Sequence, residues 1–149
     1  MILLRHNLTI CIGDRVAYFE WSENLTINHE EIDRQHKVLV ALLDKMYVAL
    51  SQGKGNKVIG VILIDLNLYI KTHFAAEEKL MIIHNYPEYE VHKKEHEALA
   101  REVVDLFNKF NTGESVSAIA VGKFLKDWLN NHIKKTDMQL GSFLNSKGK

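Results

Sequence analysis

His73-Phe74-Ala75-Ala76-Glu77 sets an imidazole and a carboxylate four residues apart inside an apolar run. On an α-helix, residues i and i+4 project from one face about one turn apart, so this pair can reach a common point. The run around it keeps helical spacing. Ile59, Ile62, Leu63, Leu66, Ile70, His73, Glu77, Leu80 and His84 follow at steps of three and four, which predicts a helix from about Lys57 to His84. Asn85-Tyr86-Pro87 stops it. A buried carboxylate without a partner is costly, and a metal ion would remove that cost for Glu77.

Three more segments repeat the pattern. Upstream, Ile32-Asp33-Arg34-Gln35-His36 opens a stripe of Ile32, His36, Leu39, Val40, Leu43, Met46 and Leu50, predicting a helix from about Glu30 to Leu50. Downstream, His92-Lys93-Lys94-Glu95-His96 lies in a helix from about Tyr89 to Phe110, with Leu99, Val103, Leu106 and Phe110 on its buried side. A fourth helix carries Ile119, Gly122, Leu125, Leu129 and His132 on one face and continues at least to Asp137, with an end as late as Leu144 left open. The connections Ser51–Asn56, Asn85–Pro87 and Asn111–Gly113 are short and rich in turn formers. Four amphipathic helices with three short links predict an all-α, antiparallel up-down-up-down four-helix bundle over residues 21–149. Residues 1–20 lack helical periodicity and read as an N-terminal arm, with Gly13-Asp14 as a turn between two short apolar runs. Asn28 suits a left-handed position ahead of the first helix.

Composition agrees with a folded helical domain. The 149 residues are 46% hydrophobic, with one Pro and eight Gly. Nineteen basic and nineteen acidic residues cancel, and no basic stripe stands out, so nucleic acid is not an expected partner. No apolar run approaches the ~20 residues of a membrane helix, so no membrane is expected either. The lone cysteine, Cys11, fits a reducing compartment, and Met1–Leu4 is cut short as a signal by Arg5 and His6. The expected location is therefore cytoplasmic. Asn7-Leu8-Thr9 and Asn24-Leu25-Thr26 match a glycosylation pattern and read as chance.

The candidate site is thus His36, His73, Glu77, His92, His96, His132 and Asp137. A single histidine on an apolar stripe is more often a core residue bonded to a carbonyl. All four helices turning imidazole inward, with two acids added, is a different matter. One pair fits poorly: His132 and Asp137 are five apart, about 140° off a common face on an ideal α-helix. Asp137 must reach in from the flank, or the helix must distort. Outside the set, His6 lies in the arm, His29 reads as solvated ahead of the first helix, and His84 as a helix-end histidine favoured by the dipole. Asp33 takes the same kind of dipole role at a helix start. Lys134 and Lys135 read as a solvated face. Imidazole and carboxylate without cysteine favour iron, zinc or manganese. Five imidazoles and two carboxylates exceed what one zinc takes and suit two iron ions bridged by the carboxylates. Nitrogen-rich ligation leaves such a pair less negative, which favours reversible oxygen chemistry over strong oxidation.

The order His … His-x3-Glu … His-x3-His … His-x4-Asp resembles the hemerythrin family, specifically its bacterial members. The likeness covers about Trp21 to Leu144 and includes the flanks Ile32-Asp33-Arg34-Gln35-His36 and Trp128-Leu129-Asn130-Asn131-His132-Ile133. The segment before Trp21 departs from the family. The resemblance implies that His92, His96 and His132 hold one iron and His36 and His73 the other, with Glu77, Asp137 and an oxo or hydroxo group bridging both. It implies that dioxygen binds at the two-histidine iron, in an apolar pocket lined by Leu39, Phe74, Trp128, Leu129 and Ile133. Excluding water from that pocket would slow oxidation of the irons. The reading favoured is reversible dioxygen binding for storage, transport or sensing, not enzymatic turnover. A di-iron oxidase, peroxidase or nitric-oxide-handling protein on the same scaffold is the alternative, disfavoured because no proton donor is evident in the pocket. A closed structural metal site is a third reading, disfavoured by seven ligands where structural zinc is closed at about four. The chain leaves an unknown protein partner or a homo-oligomer open.

Overall fold

The apolar stripes become the inner faces of four helical rods in the computed structural model, which describes residues 18–148. The first rod is α1 (Glu30–Ser51), the second α2 (Gly55–Ile83) and the third α3 (Tyr89–Asn111). The fourth rod runs without a break through α4 (Ala118–Asp127), a π-helical stretch (Trp128–Asp137) and α5 (Met138–Ser146). Both junction residues, Trp128 and Met138, hold right-handed helical angles. Each rod packs on the next in sequence and α4 packs on α1, which closes the four-helix bundle. No strand occurs among the described residues. Most of the arm, including the turn expected at Gly13-Asp14, lies outside the described residues.

What is described of the arm is held by α1. The Tyr18 and Phe19 backbone N–H groups donate to Asp44 Oδ1 at 2.6 and 3.1 Å, and the Phe19 ring meets Tyr47 edge-on at 5.0 Å. The chain then makes a short 3-10 turn at Glu23–Leu25 and swings into α1 through Asn28, whose φ of 58° is left-handed as expected. His29 is not simply solvated: its Nδ1 accepts from Ile32 N–H at 3.4 Å and caps α1. Asp33 does more than face the helix dipole. Its carboxylate accepts from the Ile27 N–H at 2.8 Å and from the Thr26 hydroxyl, tying the incoming chain to the first turn.

Two expected core positions move outward. Ile119 is 72% exposed, because the first turn of α4 presents Ala118 inward instead. Contact there is too close for a larger side chain, since a Cβ added at Gly55 would lie 2.7 Å from Ala118 Cβ. Phe110 lies across Gly60 near the end of its rod and stays partly exposed, at 36%. Contrary to the expectation that no apolar run approaches a membrane helix, α2 is long enough and, with a mean hydropathy of 1.4, apolar enough for a membrane span by length and composition alone. Its stripe of Ile59, Ile62, Leu63, Leu66 and Ile70 is buried against the other rods, while Val61, Ile64 and Leu68 face outward.

The core is in two parts. The larger includes Leu39, Leu43, Met46, Leu63, Leu66, Phe74, Leu125, Trp128, Leu129 and Ile133. The smaller joins Met81 and Tyr86 to Leu140 and Leu144 near the end of α2 and in α5. Along α2 and the fourth rod, the polar residues Glu77 and Asp137 fall between these two parts.

Candidate metal centre

All seven side chains singled out in the sequence meet between the two cores, and all are buried. They form two groups that share only the carboxylates. One holds His92, His96 and His132 with Glu77 and Asp137; the other holds His36 and His73 with the same two acids. Each carboxylate divides its oxygens between the groups. Glu77 Oε1 lies 3.3 Å from both His36 Nε2 and His73 Nε2, while Oε2 lies 3.1 Å from His92 Nε2 and 2.9 Å from His96 Nε2. Asp137 Oδ2 lies 2.9 Å from His36 Nε2, while Oδ1 lies 3.0 Å from His92 Nε2 and 3.1 Å from His132 Nε2.

Asp137 enters this arrangement because the backbone changes its winding. Over Trp128–Asp137 the rod is π-helical. Its i→i+5 bonding brings residues five apart onto successive turns, so His132 and Asp137 share a face. Of the two routes left open by the sequence, helix distortion is the one taken.

Several close approaches are not hydrogen bonds. His36 Nε2, His73 Nε2, His132 Nε2, Glu77 Oε1 and both Asp137 oxygens are sealed from solvent, and none has a partner at hydrogen-bonding angles. Buried polar atoms are seldom left this way. Lone pairs that converge on a shared point, not on one another, are what metal ligands look like. The donor set of imidazole and carboxylate therefore fits a metal ion, and Glu77 and Asp137 are common to both groups that could hold one.

The opposite ring nitrogens are mostly anchored. His73 Nδ1 donates to Gln35 Oε1 at 2.8 Å, His96 Nδ1 to Glu78 at 3.1 Å and His132 Nδ1 to Glu95 at 2.8 Å. Thr136 steadies Glu95 with a 2.7 Å bond. Holding the proton on Nδ1 leaves Nε2 with its lone pair facing inward. These anchors were missed in the sequence. The signal was adjacency, for Gln35 precedes His36, Glu78 follows Glu77 and Glu95 precedes His96. On a helix the neighbour of an inward residue flanks it and faces the next rod.

Electrostatics follow from the crowding. Burial alone would depress His36, His92 and His132, but the close approach and negative charge of Asp137 and Glu77 outweigh it. These rings rise to about 9, about 9 and about 10. Burial would raise the acids; the imidazoles outweigh it and hold Glu77 and Asp137 below the usual carboxylate range. Without metal, the cluster balances its charge by holding protons.

The five residues expected to line a pocket, Leu39, Phe74, Trp128, Leu129 and Ile133, are all buried in the larger core. Phe74 stacks on His96 with ring centres 4.0 Å apart and lies 5.6 Å from Trp128. Tyr69, not singled out in the sequence, stacks on His73 at 5.0 Å. Burial and the nearby charges of Glu77 and Asp137 push its phenol well above the usual value, so it stays protonated.

A family model described as the hemerythrin HHE cation binding domain matches residues 28–144. The chain is 35% identical over 122 residues to a bacteriohemerythrin of Pseudomonas aeruginosa (strain LESB58), spanning 82% of this chain and 78% of that protein. It is 34% identical over 114 residues to a bacteriohemerythrin of Methylococcus capsulatus, spanning 76% of this chain and 86% of that one. A crystal structure of wild-type hemerythrin matches with a TM-score of 0.75 at 32% identity, covering 86% of this chain and 98% of that chain.

Proposed function

The chain belongs to the hemerythrin family, and from that premise we propose that it binds dioxygen reversibly at a non-haem di-iron centre, for storage, transport or sensing. One observation carries this reading. Each carboxylate gives one oxygen to each group, yet one group has three imidazoles and the other two. Two metal ions held by these groups would have unequal protein ligation, and the one held by His36 and His73 would have fewer protein ligands, leaving it the place for an external ligand. A structural zinc site is closed at about four ligands, whereas more donors than that converge here.

His92, His96 and His132 would hold one iron, His36 and His73 the other, with Glu77 and Asp137 across both. When bound, a ferrous pair supplies two electrons and an open coordination position for dioxygen. The remaining work belongs to the chain. Gln35, Glu78 and Glu95 keep protons on the outer nitrogens and so aim the inner ones. Leu39, Phe74, Trp128, Leu129 and Ile133 exclude water from the two-histidine end, which slows irreversible oxidation.

The test is the visible absorption of the iron-loaded, reduced protein before air, after air and after oxygen removal. A charge-transfer band that comes and goes with oxygen is expected. An immediate ferric spectrum that does not reverse would sink the reading and favour oxidase chemistry.

A further inference from the structure

Outside the seven candidate ligands, two side-chain polar atoms among the described residues are buried with no hydrogen-bond partner: Tyr69 Oη and Trp128 Nε1. Both belong to side chains packed in or against the larger core. Tyr69 lies nearly parallel to His73, with ring centres 5.0 Å apart and an interplanar angle of 18°. His73 is one of the two imidazoles of the less-ligated group. The Tyr69 ring is also 6.3 Å from Trp128, which in turn neighbours Phe74. The phenol therefore stands on the two-histidine side, among the residues assigned to the pocket.

A hydroxyl sealed in an apolar core without a partner is costly, and phenylalanine would fill the same space at no such cost. A donor kept in that position calls for an acceptor that is present only part of the time. We propose that Tyr69 Oη donates a hydrogen bond to a small external ligand held at the two-histidine end, making Tyr69 a ligand-binding and selecting residue. This rests on the di-iron reading above. Tyr69 would favour ligands whose outer atom accepts a hydrogen bond over those of equal size that do not. It would also be a proton-bearing group in a pocket where spacing along the chain makes none evident.

The experiment uses the iron-loaded ferric protein, native and Tyr69→Phe, with azide as the probe. We expect azide to bind the variant about tenfold more weakly, or about 1.4 kcal/mol. In the native protein the stretching band of bound azide should shift between H2O and D2O, and in Tyr69→Phe it should not. The metal-free variant should unfold at the same temperature as the native chain or higher, because the lost hydroxyl had no partner. Equal azide affinity within twofold, or an isotope shift that survives in the variant or is missing from the native protein, overturns the proposal. So does a lower unfolding temperature with unchanged affinity, which would give the hydroxyl a structural partner. If the native protein takes up no iron or no external ligand, the di-iron reading itself fails and this proposal with it. A difference absent only between native and variant defeats the proposal alone.

Discussion

Gln35 sits beside a candidate ligand in sequence but serves one on another rod, through its 2.8 Å contact with His73 Nδ1. Losing that contact frees the His73 ring to rotate or change tautomer. Gln35→Ala should therefore weaken metal binding at the two-histidine end about 10- to 100-fold, read by titration against a competing chelator. The three-histidine end, anchored by Glu78 and Glu95 instead, should change little. The role proposed for Leu129 is one of bulk: it is 5% exposed and three residues before His132. Leu129→Ala opens space next to the centre, and the oxygenated protein should oxidise irreversibly faster in air; an unchanged rate would remove Leu129 from the water barrier. At this scale the convergence of the seven candidate side chains was legible, because helical spacing fixes which face a residue takes. Their anchors were not, because the pairing of Gln35 with His73 depends on how α1 lies against α2.

The fourth rod shows what an element adds. Five-residue spacing between His132 and Asp137 conflicts with α-helical geometry, and the π-helical stretch Trp128–Asp137 removes the conflict. Its continuation, α5, then lies close on the chain ahead of α1. A Cβ at Gly141 would meet Ile27 Cβ at 2.6 Å and the Ile27 backbone oxygen at 3.1 Å, and Asn145 donates to that oxygen at 3.3 Å. Gly141→Ala should cost about 1–3 kcal/mol by overpacking, read as a lower urea midpoint with unchanged slope. An effect below about 0.5 kcal/mol would mean that the contact relaxes freely. Helix limits were predicted within about two residues for α1, α2 and α3, since Asn85-Tyr86-Pro87 and the Gly-containing loops punctuate the chain. In α4 the inward face holds at Gly122 and Leu125, and only Ile119 departs from it, because the tight contact of Ala118 with Gly55 fills the inner side of the first turn.

For the whole molecule, the cluster ties stability to pH and metal. His36, His92 and His132 rise from 6.5 to about 9, about 9 and about 10 in the metal-free fold. Folding thus favours their protonated forms. That contribution is complete below about pH 6.5 and is lost as pH climbs through about 9 to 10. Glu77 and Asp137 are shifted the other way, so their contribution holds above the usual carboxylate range and fades only in strong acid. Metal-free protein should accordingly lose stability between pH 7 and pH 10, measured by denaturant midpoints at several pH values. Saturating metal should replace those protons and flatten the profile, while metal affinity falls at low pH as protons compete. A flat profile without metal would contradict the proton-balanced cluster. The sequence by itself determined the helices, the bundle and the identity of the seven candidate ligands, because periodicity and i,i+4 spacing are local properties of a chain. Only the tertiary structure decided how the carboxylate oxygens divide, how Asp137 turns inward, which neighbours anchor the rings and where the Tyr69 hydroxyl lies. Asp137 turns on the winding of the fourth rod, which a five-residue spacing leaves open; the others depend on the placement of one rod against another, and that is set by packing across the core, not by spacing along the chain.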